Sequence, residues 1–327
     1  MLRLQPFELV QPESIGEVLQ LLSTHAEHVR IISGGTDLVP NLKLGSIKGD
    51  VLVSLQRVDE LKNLKEADTQ LVIGAGVSLH TIATSKLVQG TVPVLADAVG
   101  KIASPQIRNM GTLGGNLCLD TRCRYINQSE FIRSSFGGCL KSDGDRCHVV
   151  PGGSLCVAAL SSDSVPVLIA LGADVDIIGP EGERTIPVEE LYTKDGVAHI
   201  ALSSDEVVVR ARVPIPAAQT RITYRKWAVR KSIDFPLVSV AVRIDHIKGS
   251  PDILEDGRVV VGVLGPQPKI LRLSSLQGQP INEEMAHKVA GIVSRRCTPL
   301  ANVPYSEDYR KLRLAVEVKR AIRSLFI

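Results

Sequence analysis

Twice within its first eighty residues the chain runs a short apolar strand straight into a glycine turn, and that pairing limits the folds open to it. Val29-Arg30-Ile31-Ile32 enters Ser33-Gly34-Gly35-Thr36-Asp37, and Gln70-Leu71-Val72-Ile73 enters Gly74-Ala75-Gly76. Glycine has no Cβ, so a strand that ends this way can reverse sharply or bring its backbone close to another group. Ahead of the first turn, Phe7 to Pro12 reads as a short strand or extended lead-in, and Ser14-Ile15-Gly16-Glu17 reads as a capping box for a helix through Leu22. With Val29–Ile32 these segments make a compact β-α-β unit. Val51 to Leu55 is another strand, Ser78 to Ile82 begins a helix, and Val92 to Val99 forms the next, leading to Ile102-Ala103-Ser104-Pro105. Strands with intervening helices indicate α/β organisation in this part of the chain.

Further on, Val167 to Leu171 reads as helical, with Pro166 tolerable in a first turn. Ala173 to Ile177 alternates at period two, as a half-buried strand does, and Gly179-Pro180-Glu181-Gly182 closes it. Glu206 to Val213 is a second strong strand, and Pro214-Ile215-Pro216 after it marks a boundary. Beyond lie strands at Val238 to Ile244 and Val259 to Leu264, then helical patterns at Asn282 to Ile292 and Tyr305 to Ile322, which together predict a smaller α+β domain. No internal repeat or low-complexity linker interrupts this order.

Several function classes are disfavoured by composition. A formal charge of +3 over 327 residues, with the basic residues scattered, argues against a nucleic-acid partner. No run of eighteen apolar residues occurs, and Met1-Leu2-Arg3-Leu4 opens no hydrophobic signal core, so the expectation is a soluble cytoplasmic protein with no membrane span. In that reducing compartment clustered cysteines are more often metal ligands or reactive thiols than disulfides. Only five Phe, five Tyr and one Trp are present, so the core must be aliphatic and nucleobase stacking platforms are scarce.

The turn at Ser33–Asp37 can form a nest of backbone amides around a diphosphate, with Thr36 offering a hydroxyl. It does not match G-x-G-x-x-G before a long helix, and a bare turn is the competing reading. A second donor-rich turn, Gly111-Thr112-Leu113-Gly114-Gly115-Asn116, favours function, because two such loops can clamp one extended dinucleotide. Asn116 could donate its amide or merely cap the turn. Lys226 and Arg230, four apart, could offer two cations to an anion or could be solvated surface charge.

Immediately after the second turn come Cys123, Cys139, Cys147 and Cys156, four of the six cysteines. Four thiolates can complete a tetrahedral zinc site or hold the four irons of a [4Fe-4S] cluster. Glycine pairs or Asp-Gly precede three of them, turns that would let amides approach cluster sulfides. Iron–sulfur, zinc and scattered structural thiols all remain open on these residues. Cys118, flanked by leucines, reads as an inert apolar side chain, Cys297 as buried or incidental, and His148 as packed or at the surface rather than ligating.

Ser33-Gly34-Gly35-Thr36-Asp37, the run Gln106 to Asn116, and Lys226-Trp227-Ala228-Val229-Arg230 together resemble the FAD-binding medium subunit of the molybdenum hydroxylases, the xanthine dehydrogenase and CO dehydrogenase family, over essentially the whole chain. The resemblance implies an α+β fold class: two FAD-binding subdomains (PCMH/VAO-like) at 1–55 and 56–216, an iron–sulfur loop insertion at about 119–159, and a C-terminal domain at 217–327 resembling the CO dehydrogenase flavoprotein C-terminal domain. FAD would lie extended between them. By the resemblance Gly34, Gly35 and Thr36, flanked by Ile32, Ser33 and Asp37, are the first pyrophosphate loop, and Thr112, Gly115 and Asn116 the second. Ile107 would lie close to the cofactor, Asp163 is the acidic residue after the second loop, and Lys226 is the lysine near the flavin.

Where the family pattern runs almost directly from Gly-Gly-Asn into the Ser-Asp segment, about forty residues intervene here. That departure resembles the beta subunit of 4-hydroxybenzoyl-CoA reductase, and it implies one [4Fe-4S] cluster on Cys123, Cys139, Cys147 and Cys156. The same resemblance implies a large molybdopterin-binding subunit, a small subunit with two [2Fe-2S] clusters, a dimer of heterotrimers, and a ferredoxin-like donor feeding electrons to the cluster for reductive dehydroxylation to benzoyl-CoA. The alternatives are the FAD subunit of another aromatic or heterocyclic molybdenum dehydrogenase, a stand-alone flavin oxidase, or a zinc-stabilised structural subunit. No catalytic residue is assigned to this chain, since substrate chemistry would belong to the large partner.

Overall fold

The computed structural model describes residues 3–24 and 29–326. Met1 and Leu2, part of the amino-terminal reading, and Ile327, the end of the expected C-terminal domain, lie outside the described residues. Three sheets organise what is described. In the first, β1 (Glu8–Val10), β2 (Val29–Ile32) and β3 (Val51–Ser54) run parallel in the order β1-β3-β2. Parallel neighbours need crossovers. Helix α1 (Ile15–Thr24) lies between β1 and β2, burying Ile15, Val18 and Leu22 on one face, and α2 (Leu38–Leu44) lies between β2 and β3. Ser14 Oγ accepts the Glu17 N–H at 3.3 Å, while Glu17 reaches back to the Glu13 N–H at 2.9 Å, one residue earlier than a standard capping box.

The second sheet is antiparallel, in the order β4-β5-β8-β6-β7, from β4 (Leu64–Ala67), β5 (Gln70–Gly74), β6 (Asp174–Gly179), β7 (Gly182–Pro187) and β8 (Val207–Pro214). Between β5 and β6 the chain winds through α3 (Leu79–Thr84), α4 (Lys86–Thr91), α5 (Pro93–Gly100), α6 (Pro105–Met110), α7 (Leu113–Leu117), α8 (Glu130–Ser135) and α9 (Ser164–Leu171). All eight residues of α9 are buried. A helix apolar on every side must be enclosed, and α9 touches β8, β10 and β11, joining this sheet to the third.

The third sheet, β12-β11-β10-β9, is antiparallel: β9 (Thr220–Trp227), β10 (Val238–Ile247), β11 (Ser250–Gly262) and β12 (Lys269–Arg272). Helices α10 (Glu283–Arg296) and α11 (Glu307–Arg323) pack against each other, capped by Asn282 and Ser306, whose oxygens accept N–H bonds at 3.1 and 3.3 Å. Arg310 is fully buried and donates to the carbonyls of Leu237, Val263 and Leu300 at 3.1, 2.6 and 2.6 Å. Burial lowers its pKa to about 10, so it stays a cation that staples α11 to the sheet. Among the described residues no helix is long and apolar enough to cross a membrane.

Residues 119–159 form the cysteine loop. Buried Arg133, on α8, anchors it to the end of α2 by donating to the carbonyls of Leu44 and Gly45, both at 2.9 Å, and to Ser142 Oγ at 3.0 Å. His148 stacks on Tyr125 at 5.0 Å, with Phe136 edge-on to both, and its Nε2 meets the Gly138 carbonyl at 2.6 Å, so it is a packing residue. All six cysteines are free thiols. Among the described residues no group of three or more His, Cys, Asp or Glu side chains is placed to hold a metal ion.

The expected [4Fe-4S] cluster on Cys123, Cys139, Cys147 and Cys156, and with it the iron–sulfur insertion in the fold, is therefore corrected, and a zinc site falls with the same finding. As free thiols the four still act on one another: burial first, and then the neighbouring Cys156, Cys139 and Cys147, pushes the Cys123 thiol up to about 11 despite a backbone hydrogen bond that acts the other way. Burial also raises Cys156. Sulfur at Cys147 and Cys156 accepts backbone N–H bonds from Val150 and Ala158 at 3.4 and 3.5 Å, and Cys139 sits in a tight turn closed by reciprocal bonds with Ser142 at 2.9 and 2.8 Å.

Candidate functional site

The two glycine turns meet backbone to backbone. A Cβ at Gly34 would lie 1.9 Å from the Met110 carbonyl oxygen, so only glycine lets the turn after β2 approach the end of α6 this closely. Gly35 takes φ +69°, a left-handed conformation that favours glycine. Ser33 Oγ and Thr112 Oγ1 share a hydrogen bond at 2.9 Å, and Thr112 caps α7 by accepting the Gly115 N–H at 3.2 Å. At Gly115 a Cβ would meet only that hydroxyl, at 3.2 Å, so protein packing makes a weaker demand for glycine there than at Gly34.

Together these turns wall a cavity of ≈ 620 Å³, within the range of small-molecule sites. Ile32, Ser33, Gly34, Gly35, Thr36, Asp37, Ile107, Thr112, Gly115, Asn116 and Asp163 all line it. Asn116 Oδ1 accepts hydroxyls from Ser162 and Ser164 at 2.7 and 2.6 Å, which fixes the carboxamide and makes its NH2 the end that can serve a ligand. Ile107 contributes an apolar wall from α6, whose N-cap is Ser104.

Asp163 is 3% exposed and accepts the Tyr224 hydroxyl at 2.6 Å and Lys226 Nζ at 3.0 Å. Burial raises its pKa, against the pull of Lys226 and Tyr224. Lys226 also donates to the Lys101 carbonyl at 2.9 Å, so it stands behind the cavity wall, held by Asp163. Arg230 is not brought to it: past the end of β9, Arg230 pairs with Asp234 at 2.6 Å. The loop carrying Asp234 nevertheless closes one side of the cavity. Ile233 (φ +71°) donates its N–H to the carbonyl of Ala103 (φ +42°) at 2.9 Å, two strained residues held across the mouth.

Three site features escape a reading of the sequence. Tyr224 shares a strand face with the expected Lys226, two further along β9, but Thr220–Trp227 carries too many charges to read as a strand, so the tyrosine is not found from sequence. Arg122 pairs with Asp37 at 3.3 Å and lies 4.0 Å over the Phe235 ring. Asp120 lines the cavity, donates its N–H to Asp37 at 3.2 Å and pairs with Lys141. Cys118 also lines the cavity, and burial pushes its thiol up to about 12, as suits an inert side chain. Cys297 is buried at the end of α10.

A cavity walled by two glycine turns, followed by an α+β domain, is the frame of a small-molecule-binding subunit. The chain belongs to the FAD-binding medium-subunit family of the molybdopterin dehydrogenases. The profile described as "FAD binding domain in molybdopterin dehydrogenase" matches residues 5–216, and "CO dehydrogenase flavoprotein C-terminal domain" matches residues 223–325. The carbon monoxide dehydrogenase medium chain of Hydrogenophaga pseudoflava is 27% identical over 97% of this chain and 96% of its own length. The aldehyde oxidoreductase FAD-binding subunit PaoB of Escherichia coli K12 is 35% identical over 73% of this chain and 76% of its own. Among solved structures, carbon monoxide dehydrogenase from Hydrogenophaga pseudoflava superposes with a TM-score of 0.80 at 26% identity, covering 99% of this chain and 98% of the other. Quinoline 2-oxidoreductase from Pseudomonas putida 86 shares the fold, with a TM-score of 0.79 at 23% identity over 99% and 98% of the two chains.

The fold is thus the PCMH/VAO-like FAD-binding fold with a CO-dehydrogenase-like C-terminal domain, and the chain is an oxidoreductase subunit of a molybdenum-hydroxylase-type enzyme. Membership implies an assembly of a molybdenum subunit, this FAD subunit and a small iron–sulfur subunit. The narrower expectation of 4-hydroxybenzoyl-CoA reductase chemistry, with a ferredoxin-like donor feeding a [4Fe-4S] port, is corrected: it rested on a cluster for which the loop has no metal-holding group.

Proposed function

We propose that this chain is the flavin-bearing electron-transfer subunit of a molybdenum dehydrogenase, with FAD in the cavity between the glycine turns. The observation that carries the reading is the backbone contact at Gly34 and Met110, which sets two amide-rich turns side by side on one cavity. Bound FAD supplies a carrier that takes and gives electrons singly or in pairs. Ser33 to Thr36, Thr112, Gly115 and Asn116 would hold its diphosphate, Ile32 and Ile107 would supply apolar walls, and Asp37 and Asp163, the latter backed by Lys226, would meet its polar edges. Residues 1–55 and 56–216 would be the two flavin subdomains and 217–327 the appended domain, a division that follows the three sheets.

Substrate would be bound by the large subunit. The names of relatives range over carbon monoxide, glyceraldehyde and caffeine, which fits a flavin subunit that touches none of these substrates. Purification of the untagged chain with its native partners, followed by flavin and molybdenum quantification, tests the reading. One FAD per chain in a complex that contains molybdenum is expected; a chain that binds no flavin contradicts it.

A further inference from the structure

Five carboxylates line the cavity, and each is paired with a cation among the described residues. Asp37 faces Arg122 at 3.3 Å, Asp163 faces Lys226 at 3.0 Å, Glu206 faces Arg184 at 2.7 Å and Asp234 faces Arg230 at 2.6 Å. The fifth, Asp120, is served from the cysteine loop: Lys141 Nζ lies 2.5 Å from its Oδ1. A cavity floored by uncompensated carboxylates would repel a diphosphate, so this matching has an electrostatic purpose.

Lys141 is the cation bonded to Asp120; Arg122, paired with Asp37, acts on it only through space, and the nearby histidine brings no charge to it. His199 Nδ1 lies 3.7 Å from Asp120, but burial and Lys141 push its pKa down, and its Nε2 is turned to the Leu119 carbonyl at 3.0 Å. Neutral and donating through Nε2, it has no proton on Nδ1 to give Asp120. Lys141, 9% exposed, spends its other donors on Thr121 Oγ1 at 2.5 Å and the Gly196 carbonyl at 2.7 Å. Through the Asp120 N–H, bonded to Asp37 at 3.2 Å, this pair sits one hydrogen bond from the first glycine turn.

We propose that Lys141 is a positioning residue for the flavin diphosphate: it neutralises Asp120 at the cavity wall, so the loop at 119–159 completes the electrostatics of the cofactor cleft. The assignment rests on the flavin reading above. The test titrates the flavin-free full-length chain with FAD, comparing wild type, Lys141→Met, Asp120→Asn and the double variant.

Lys141→Met exposes the Asp120 charge and is expected to weaken FAD about tenfold. Adding Asp120→Asn removes that charge and is expected to restore binding, although the bonds to Thr121 and Gly196 stay lost; a merely structural lysine would not be rescued this way. Asp120→Asn alone, with Lys141 intact, is expected to bind FAD several-fold more tightly, and this arm decides the matter if Lys141→Met does not fold. Wild-type affinity in Lys141→Met, absence of rescue in the double variant, or unchanged or weaker binding by Asp120→Asn overturns the assignment. A wild-type chain that takes no FAD refutes the flavin reading itself, and the assignment with it.

Discussion

The cofactor cleft and the cysteine loop are both rich in glycine and both carry residues with a chemical reputation, yet they place those residues differently. In the cleft, glycines are demanded by geometry: at Gly34 a Cβ would strike the Met110 carbonyl, and the resulting contact creates the cavity. In the loop the demand is local: a Cβ at Gly138 or Gly144 would lie 2.3 Å from the Ser142 carbonyl oxygen or 2.6 Å from the Cys139 nitrogen, which closes the turn at Cys139 and no cavity, while Gly152, at φ +73°, has nothing within 4 Å of where a Cβ would sit. Cysteines gathered in sequence there are free thiols in a segment held by Arg133, Lys141 and an aromatic trio. Backbone constraints imprint themselves on neighbouring residues, whereas convergence of side chains depends on how a long loop is folded back.

The sharpest way to break the comparison is a matched pair of glycine substitutions. Gly34→Ala is expected to cost about 3 kcal/mol of stability by overpacking against backbone and to abolish FAD retention, as read by urea unfolding and by flavin content. Gly152→Ala carries only the strain of a positive φ, about 1 kcal/mol, and leaves flavin content unchanged. Equal costs at the two sites would remove the distinction.

A smaller effect separates the thiols. Under native conditions, limited alkylation followed by mass spectrometry should modify the partly exposed Cys147 before the buried Cys139, Cys156 and Cys297. Cys297 is 1% exposed and burial raises its pKa to about 11, so it should react only after unfolding. Uniform labelling would contradict the packing described for the loop.

Much of the framework is legible in the chain because short-range rules write it. Asn282 marks the start of α10, the pattern from Tyr305 to Ile322 covers most of α11, the alternation from Ala173 to Ile177 marks β6, and Ser33–Asp37 marks the turn after β2. β4 and β9 are missed because Leu64–Ala67 and Thr220–Trp227 are only partly buried and mix charges with apolar residues, so no period stands out. Of the site, the glycine turns, Asn116, Asp163 and Lys226 are readable because they belong to recognisable motifs. The pairs Asp37–Arg122 and Asp120–Lys141 join residues 85 and 21 apart along the chain, a proximity that no local pattern encodes.

The central claim, that the glycine turns hold a flavin dinucleotide, is tested most directly at Gly115, where a Cβ meets only the Thr112 hydroxyl, at 3.2 Å, and no backbone. FAD titration of the flavin-free Gly115→Ala chain, with its melting temperature measured in parallel, should show a fold as stable as wild type within about 1 kcal/mol and FAD binding at least about tenfold weaker. Wild-type FAD affinity in this variant would contradict the account.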